Sequence, residues 1–253
     1  IFAIIGIFVI FGISLNTVIT FLGAITAVIL LVFRDTILGF VTGIHVSTSK
    51  NLKIGDWIGI PKYNIEGNIQ DINLLTTKIV NFDKTISTIP TYDLLSTEIR
   101  NHQVMYEGSS RRIKRSIYFN IKSFKFVDDE FYEKVKDINL ISEYLDRKLR
   151  EIAESKKNIP HAERIINGQQ LTNIGLFRNY VLNYLKNNPK VDQDEIVLVR
   201  QLEISPQGMP LEIYCFANKA ELVDYERIQA DIFDHILTAA KEFDLEVMQV
   251  NKV

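Results

Sequence analysis

The sequence predicts a three-part chain: an α-helical membrane segment, a small all-β domain and an α/β domain. Three observations carry this. Residues 1–33 contain no charged side chain, and the next two, Arg34 and Asp35, are both charged. Between residues 52 and 101, short runs of β-branched residues alternate with turn-forming pairs. Beyond about residue 112, strand-like and helix-like periodicities alternate along the chain.

The apolar run comes first. About 18 uncharged apolar residues are enough to cross a bilayer, and here the run is too long for one crossing. A single helix of this length would measure about 50 Å, against a hydrocarbon core of ~30 Å. Gly12, Ser14 and Asn16 form its one cluster of turn formers, which predicts a hairpin with arms at 1–13 and 17–33. The first arm covers only about 20 Å, so the chain is expected to begin inside a helix, and the lack of an initiator Met agrees. A signal peptide fits poorly, because neither a basic leader nor a small-residue cleavage site is present. In the second arm, Thr20, Ala24, Ala27 and Leu31 recur at i, i+4, i+7 and i+11 and share one face.

Residues 34–51 form a link of weaker amphipathicity. Ile37, Phe40, Val41 and Ile44 make an apolar face opposed by Thr42, His45, Ser49 and two glycines. A helix leaving the membrane at Arg34-Asp35 and bending into the interface plane accounts for both features; a soluble linker helix is the other reading. Arg34, Lys50 and Lys53 are the first basic residues after the span, and basic flanks favour the cytoplasmic side. The one cysteine, Cys215, excludes an intrachain disulfide and fits a reducing compartment.

The β domain is expected over 52–104, with runs at 57–60, 69–72, 77–80 and 85–89 separated by Gly55-Asp56, Gly67-Asn68 and Asp83-Lys84. About five short strands in this length make a small barrel. The α/β domain is expected over 105–253. Ile117, Phe119 and Ile121 alternate with polar residues as a half-buried strand. Helices follow at 129–155 and 174–186, then strands at 195–204 and 211–216 around the turn Ser205-Pro206-Gln207-Gly208. A helix at 221–243 and a strand at 245–250 end the chain. The order βαββαβ, with one helix inserted, is that of a ferredoxin-like sandwich.

Chemistry is sparse. No phosphate-cradling or dinucleotide-binding glycine pattern occurs, and Ser, Cys and acidic residues form no nucleophile arrangement. Asp231 and His235 share a helix face, where a local charge-assisted contact is a better reading than a metal site. Residues 111–115 hold four basic residues in five, of which Arg112 and Lys114 would share one solvated strand face. With a net charge of −2, a polyanionic partner is not implied. No nucleic-acid partner is expected beside a membrane segment, and an enzyme is disfavoured.

The motifs resemble a known family. Ile54-Gly55-Asp56-Trp57-Ile58, Glu66-Gly67-Asn68-Ile69, Asp71-Ile72, Thr77, Phe82-Asp83, Ile89-Pro90-Thr91 and Ile99-Arg100-Asn101 are similar to the bacterial small-conductance mechanosensitive channel (MscS) family. Arg111-Arg112-Ile113-Lys114-Arg115-Ser116, Leu171-Thr172-Asn173-Ile174-Gly175, Leu211-Glu212-Ile213-Tyr214 and the stretch from Tyr225 to His235 look most like its miniconductance subgroup. Thr91 stands where many members carry Asn.

The resemblance implies a homoheptameric channel of the bacterial inner membrane, opened by bilayer tension during hypo-osmotic shock. It also implies a five-stranded Sm-like β domain, a cytoplasmic vestibule and no cofactor. The partners would be other copies of the chain, membrane lipids, and the ions and small solutes that permeate. The family's pore helix maps onto 17–33, with Ala27 and Leu31 at its two constriction sites and Thr20 and Ala24 on the same lining face. Arg34 and Asp35 mark the bend and the pore mouth. Val28 and Leu30 occupy positions where the family favours small residues, which leaves Leu30 and Phe33 as the alternative constriction. Two other functions compete: a non-conducting membrane-anchored scaffold, and a tethered binding module whose barrel would need stacking aromatics beyond Trp57 and Phe82.

Overall fold

The computed structural model describes residues 14–48 and 51–249. The expected first hairpin arm lies outside them. The chain divides into two compact units, one ending at Val104 and the other beginning at Met105.

The first unit opens with helix α1 (Leu15–Val32). Ser14 caps it by accepting the Thr17 N–H at 3.3 Å, satisfying a donor that the first turn would leave unpaired. Phe33, at φ −96° and ψ 6°, ends α1, and helix α2 (Arg34–Thr48) starts at the next residue. Five strands follow: β1 (Trp57–Ile60), β2 (Ile65–Ile72), β3 (Thr76–Asn81), β4 (Ile86–Pro90) and β5 (Arg100–Asn101). Their order is β4-β3-β2-β1-β5, and every pair is antiparallel. A register shift between Ile69 and Asp71 bends β2. Among the described residues no pairing joins β4 to β5. Ile58, Ile60, Ile69, Ile79, Ile89 and Leu94 fill the interior. Asp93, on the short helix α3 (Asp93–Ser96), is buried there with Tyr63, Ser96 and Lys62 as partners. Burial pushes its carboxyl up, yet the two hydroxyl donors and Lys62 outweigh this and hold it below the usual range.

The second unit follows the short helix α4 (Gln103–Glu107), which straddles the boundary. Its elements are β6 (Arg111–Phe119), α5 (Asp129–Val135), α6 (Asn139–Lys156), α7 (Asn173–Lys186), β7 (Leu198–Gln201), β8 (Met209–Ala217) and α8 (Leu222–Ala239). The antiparallel sheet runs β6-β8-β7, and Val247 pairs with Phe119 beyond β6. Counting that last segment, the spatial order is fourth-first-third-second, the arrangement the sequence order anticipates. Ile113, Ile117, Leu211 and Ile213 meet Phe177 and Val181 of α7 and Ile228 and Ile232 of α8 in one core.

Several elements differ from the sequence reading. Ile121 leaves the strand for a 3-10 turn, Ile121–Ser123, and is exposed. The expected helix over 129–155 is two, because Ile138 takes an extended conformation (φ −78°, ψ 106°) between α5 and α6. Only four residues of 195–204 form β7, and Ile196 and Ile204 are exposed outside it. Among the described residues the closing strand is a single pairing, flanked by hydrogen bonds from Met248 N–H to Tyr118 and from Asn120 N–H to Glu246.

Asp244 ties this end of the unit together. Its carboxylate takes ion pairs from Lys125 and Lys134, both at 2.8 Å, and these two cations hold its pKa below the usual value. A depressed carboxylate contributes stability above its unfolded pKa and loses it as pH falls through the folded one. Asp244→Asn, which retains a side chain tolerated at φ 52°, should therefore flatten the acid limb of a thermal-stability curve below about pH 4. An unchanged acid limb would remove Asp244 from the acid response.

Candidate functional site

Helix α1 presents an unusual surface for a folded chain. Leu31 is 74% exposed, Val32 69% and Ile19 61%, while Val18 is its one buried residue. At ~1.5 Å per residue it is about 27 Å long, close to the hydrocarbon thickness of a bilayer. Its hydroxyls are turned inward: Thr20 donates to the Asn16 carbonyl at 2.9 Å and Thr26 to the Leu22 carbonyl at 2.8 Å. Such internal pairing leaves few polar groups needing water, as an apolar surrounding demands.

Thr20, Ala24, Ala27 and Leu31 are all exposed. At about 100° per residue they lie within an arc of roughly 60°, one narrow strip down the helix. Leu30 and Phe33 fall outside that strip. Arg34 and Asp35 open α2 and are also exposed. Asp35 sits where the dipole of α2 favours an anion, while Arg34 follows the C-terminal carbonyls of α1, which favour a cation.

Below the break, α2 is anchored to the β sheet of its own unit. Gly39 and Thr42 are buried, whereas Ile37, Phe40, Val41 and Ile44 are exposed. A Cβ on Gly39 would stand 2.1 Å from the Leu74 carbonyl oxygen, so only glycine permits this approach. Leu74 lies in the β2–β3 turn, and Thr91 pins that turn. The Thr91 hydroxyl donates to the Asn73 carbonyl at 2.7 Å and sits 3.1 Å from the Thr77 hydroxyl, while its N–H reaches the Leu75 carbonyl at 3.0 Å. The sequence reading missed Gly39, Leu74 and Thr91 as an anchor. The available signal was a glycine inside a helix, a position that costs about 1 kcal/mol relative to Ala and so calls for a packing reason.

Other side chains singled out in the sequence have structural partners. Asp231 pairs with Lys190 at 2.7 Å, while His235 meets the Tyr180 hydroxyl at 2.7 Å and stacks on Tyr184. The contact expected between Asp231 and His235 is replaced by these partners. Burial pushes the Cys215 thiol up to about 12, which leaves it protonated and unreactive. Among the described residues no cluster of three His, Cys, Asp or Glu could hold a metal ion. Trp57 meets Phe82 edge to face, 5.3 Å apart, and His102 on another side.

Comparison with known proteins finds channel domains in both units. The model of the mechanosensitive ion channel β-domain matches residues 35–104, and that of the C-terminal part of mechanosensitive ion channel MscS matches residues 162–247. The low conductance mechanosensitive channel YnaI of Escherichia coli is 24% identical over 227 residues, covering 90% of this chain and 52% of its own length. The chain thus spans about half the length of that relative. Among solved structures, Arabidopsis thaliana MSL1 aligns with a TM-score of 0.62 at 16% identity, covering 94% of this chain and 68% of that one. Helicobacter pylori MscS in a closed state aligns with a TM-score of 0.55 at 16% identity, over 96% and 73% respectively. At such identities the structures speak for the fold alone. Two models of one family, matched in chain order on the β and α/β units, place this chain in the MscS family of mechanosensitive ion channels.

Proposed function

We propose that the chain is one subunit of a homo-oligomeric ion channel opened by membrane tension during hypo-osmotic shock. The family resemblance favours seven copies in the inner membrane of a bacterium, with the β and α/β units in the cytoplasm. The observation that carries this is α1, which is apolar and exposed around almost its whole circumference. A helix of that kind needs lipid or other copies of itself as neighbours. In a ring, the Thr20/Ala24/Ala27/Leu31 strip would line the pore and Leu31 would form the narrowest ring. Apolar constrictions stop ions by expelling water without closing sterically. The reading needs neither cofactor nor reaction; the partners are other copies, lipids, and permeating ions and small solutes.

The test is a patch recording of the full-length protein in reconstituted membranes under suction. Stepwise currents that appear with tension are expected; silence up to membrane rupture would reject the channel. The same patches examine the pore mouth. A charged pair at bilayer depth costs about 2.5–3.5 kcal/mol per charge on insertion scales, so Arg34 and Asp35 belong at the interface. If Arg34 faces the axis, its ring favours anions, and Arg34→Glu should move the reversal potential in a salt gradient toward that of cations. A reversal potential that does not move would place Arg34 away from the ion path.

A further inference from the structure

Among the described residues, helices cover the sheet of the second unit on one face only. Odd-numbered residues of β6 and β8, such as Ile113, Ile117 and Ile213, point into the core shared with α7 and α8. Even-numbered residues point away. On that outer face Glu212 is buried beneath two cations, Arg200 at 2.7 Å and Lys114 at 3.9 Å. Arg112 lies beside them, 5.8 Å from the Tyr214 ring, with no carboxylate within 4 Å among the described residues. Three cations around one carboxylate leave the face positive. Tyr118 and Leu198 add exposed apolar surface there.

The opposite side of the unit has the reverse character. The outward face of α8 carries Glu226 and Asp234, both exposed and without a cation within 4 Å among the described residues, while Arg227 on the same face is paired with Asp224 at 3.5 Å. Exposed Ala230 and Leu237 lie between and beyond them at helical spacing. One folded unit therefore bears a basic, partly apolar sheet face on one side and an acidic, partly apolar helix face on the other. Complementary patches on opposite sides of one molecule make a head-to-tail contact, the kind that closes into rings.

We infer that the outer sheet face, with Arg112, Lys114 and Arg200, receives the outer face of α8, with Glu226 and Asp234, from a second copy of the chain. This rests on the homo-oligomeric reading above and names the surfaces that build its ring. The test is made on the full-length protein in membranes. Lys114→Cys and Asp234→Cys are introduced together and oxidised; Cys215 is buried and takes no part. A ladder of cross-linked multimers reaching the full subunit number is expected, with either single variant staying monomeric on the gel. As a second arm, Arg112→Glu should lower the oligomeric mass in detergent, and adding Glu226→Lys should restore it. A double-cysteine protein that still assembles and gates but never cross-links overturns this contact and leaves the channel reading intact. Dimers from Lys114→Cys alone would mean that the sheet face meets itself, which overturns the head-to-tail arrangement. A parent protein that is monomeric in the membrane overturns both readings.

Discussion

Leu31→Ser should open the proposed channel at lower tension than the parent. The side chain is the most exposed large apolar group of α1, at 74%, and lies at the lower end of the small-residue strip. In a ring it would be repeated once per subunit around a narrow bore. Keeping water out of such a bore is favourable only while the wall is apolar, because a dry polar wall leaves hydroxyls unsatisfied. Fully burying a leucine side chain is worth about 1.5–3 kcal/mol. Even a fraction of that, lost in every subunit, destabilises the dry state by several kcal/mol. Tension then has less work to do, so the threshold falls and brief openings without suction become visible. Ala27→Ser, one turn higher and already small, should have a weaker effect of the same sign. If Leu31→Ser gates at the parental threshold with parental conductance, the constriction lies elsewhere, and Leu30 and Phe33 are the next residues to change.

The division into helix, β unit and α/β unit was legible because each part has its own hydrophobic period. An uninterrupted apolar run marks α1, short alternating runs mark the strands, and a spacing near 3.6 marks α7 and α8. Trp57–Ile60 is bounded by Gly55-Asp56 and Pro61, so its limits could be read directly. The break between α5 and α6 could not. Ile138 and Ile141 keep a helical i, i+3 spacing across it, so the pattern hides a residue in extended conformation. β7 was read too long because Ile196 and Ile204 look like strand residues while standing exposed beside the sheet. The anchor at Gly39 was hidden for another reason. It depends on a backbone carbonyl from a distant turn, and a carbonyl has no letter in the sequence. The strip on α1 was visible as spacing, but its role depends on neighbouring copies, which one chain's periodicity does not contain.

That anchor supplies the second large expected effect: Gly39→Ala loosens α2 from the β unit, whereas Gly43→Ala does not. Both glycines lie in the same helix, and either change should gain roughly 1 kcal/mol of helix propensity. What differs is the space. At Gly43 an added Cβ meets nothing within 4 Å, while at Gly39 it meets the Leu74 carbonyl oxygen at 2.1 Å and its carbon at 3.3 Å. These are backbone atoms, and the turn that holds them is fixed by Thr91, so the strain cannot be relieved by turning a side chain. Overpacking of this kind costs about 1–3 kcal/mol, more than the propensity gain over most of that range. Helix α2 is then held less firmly by the β unit, so, if α1 lines the pore as proposed, the opening threshold should shift along with the melting temperature. Thr91→Val should act in the same direction by removing the hydroxyl that holds the Asn73 carbonyl. Melting of the purified channel in detergent and recordings under suction read the two effects separately. If Gly39→Ala is as stable as Gly43→Ala and gates at the same tension, the approach of α2 to Leu74 is not kept in the assembled channel. The β unit would then reach α1 and α2 only through the chain connection after Thr48.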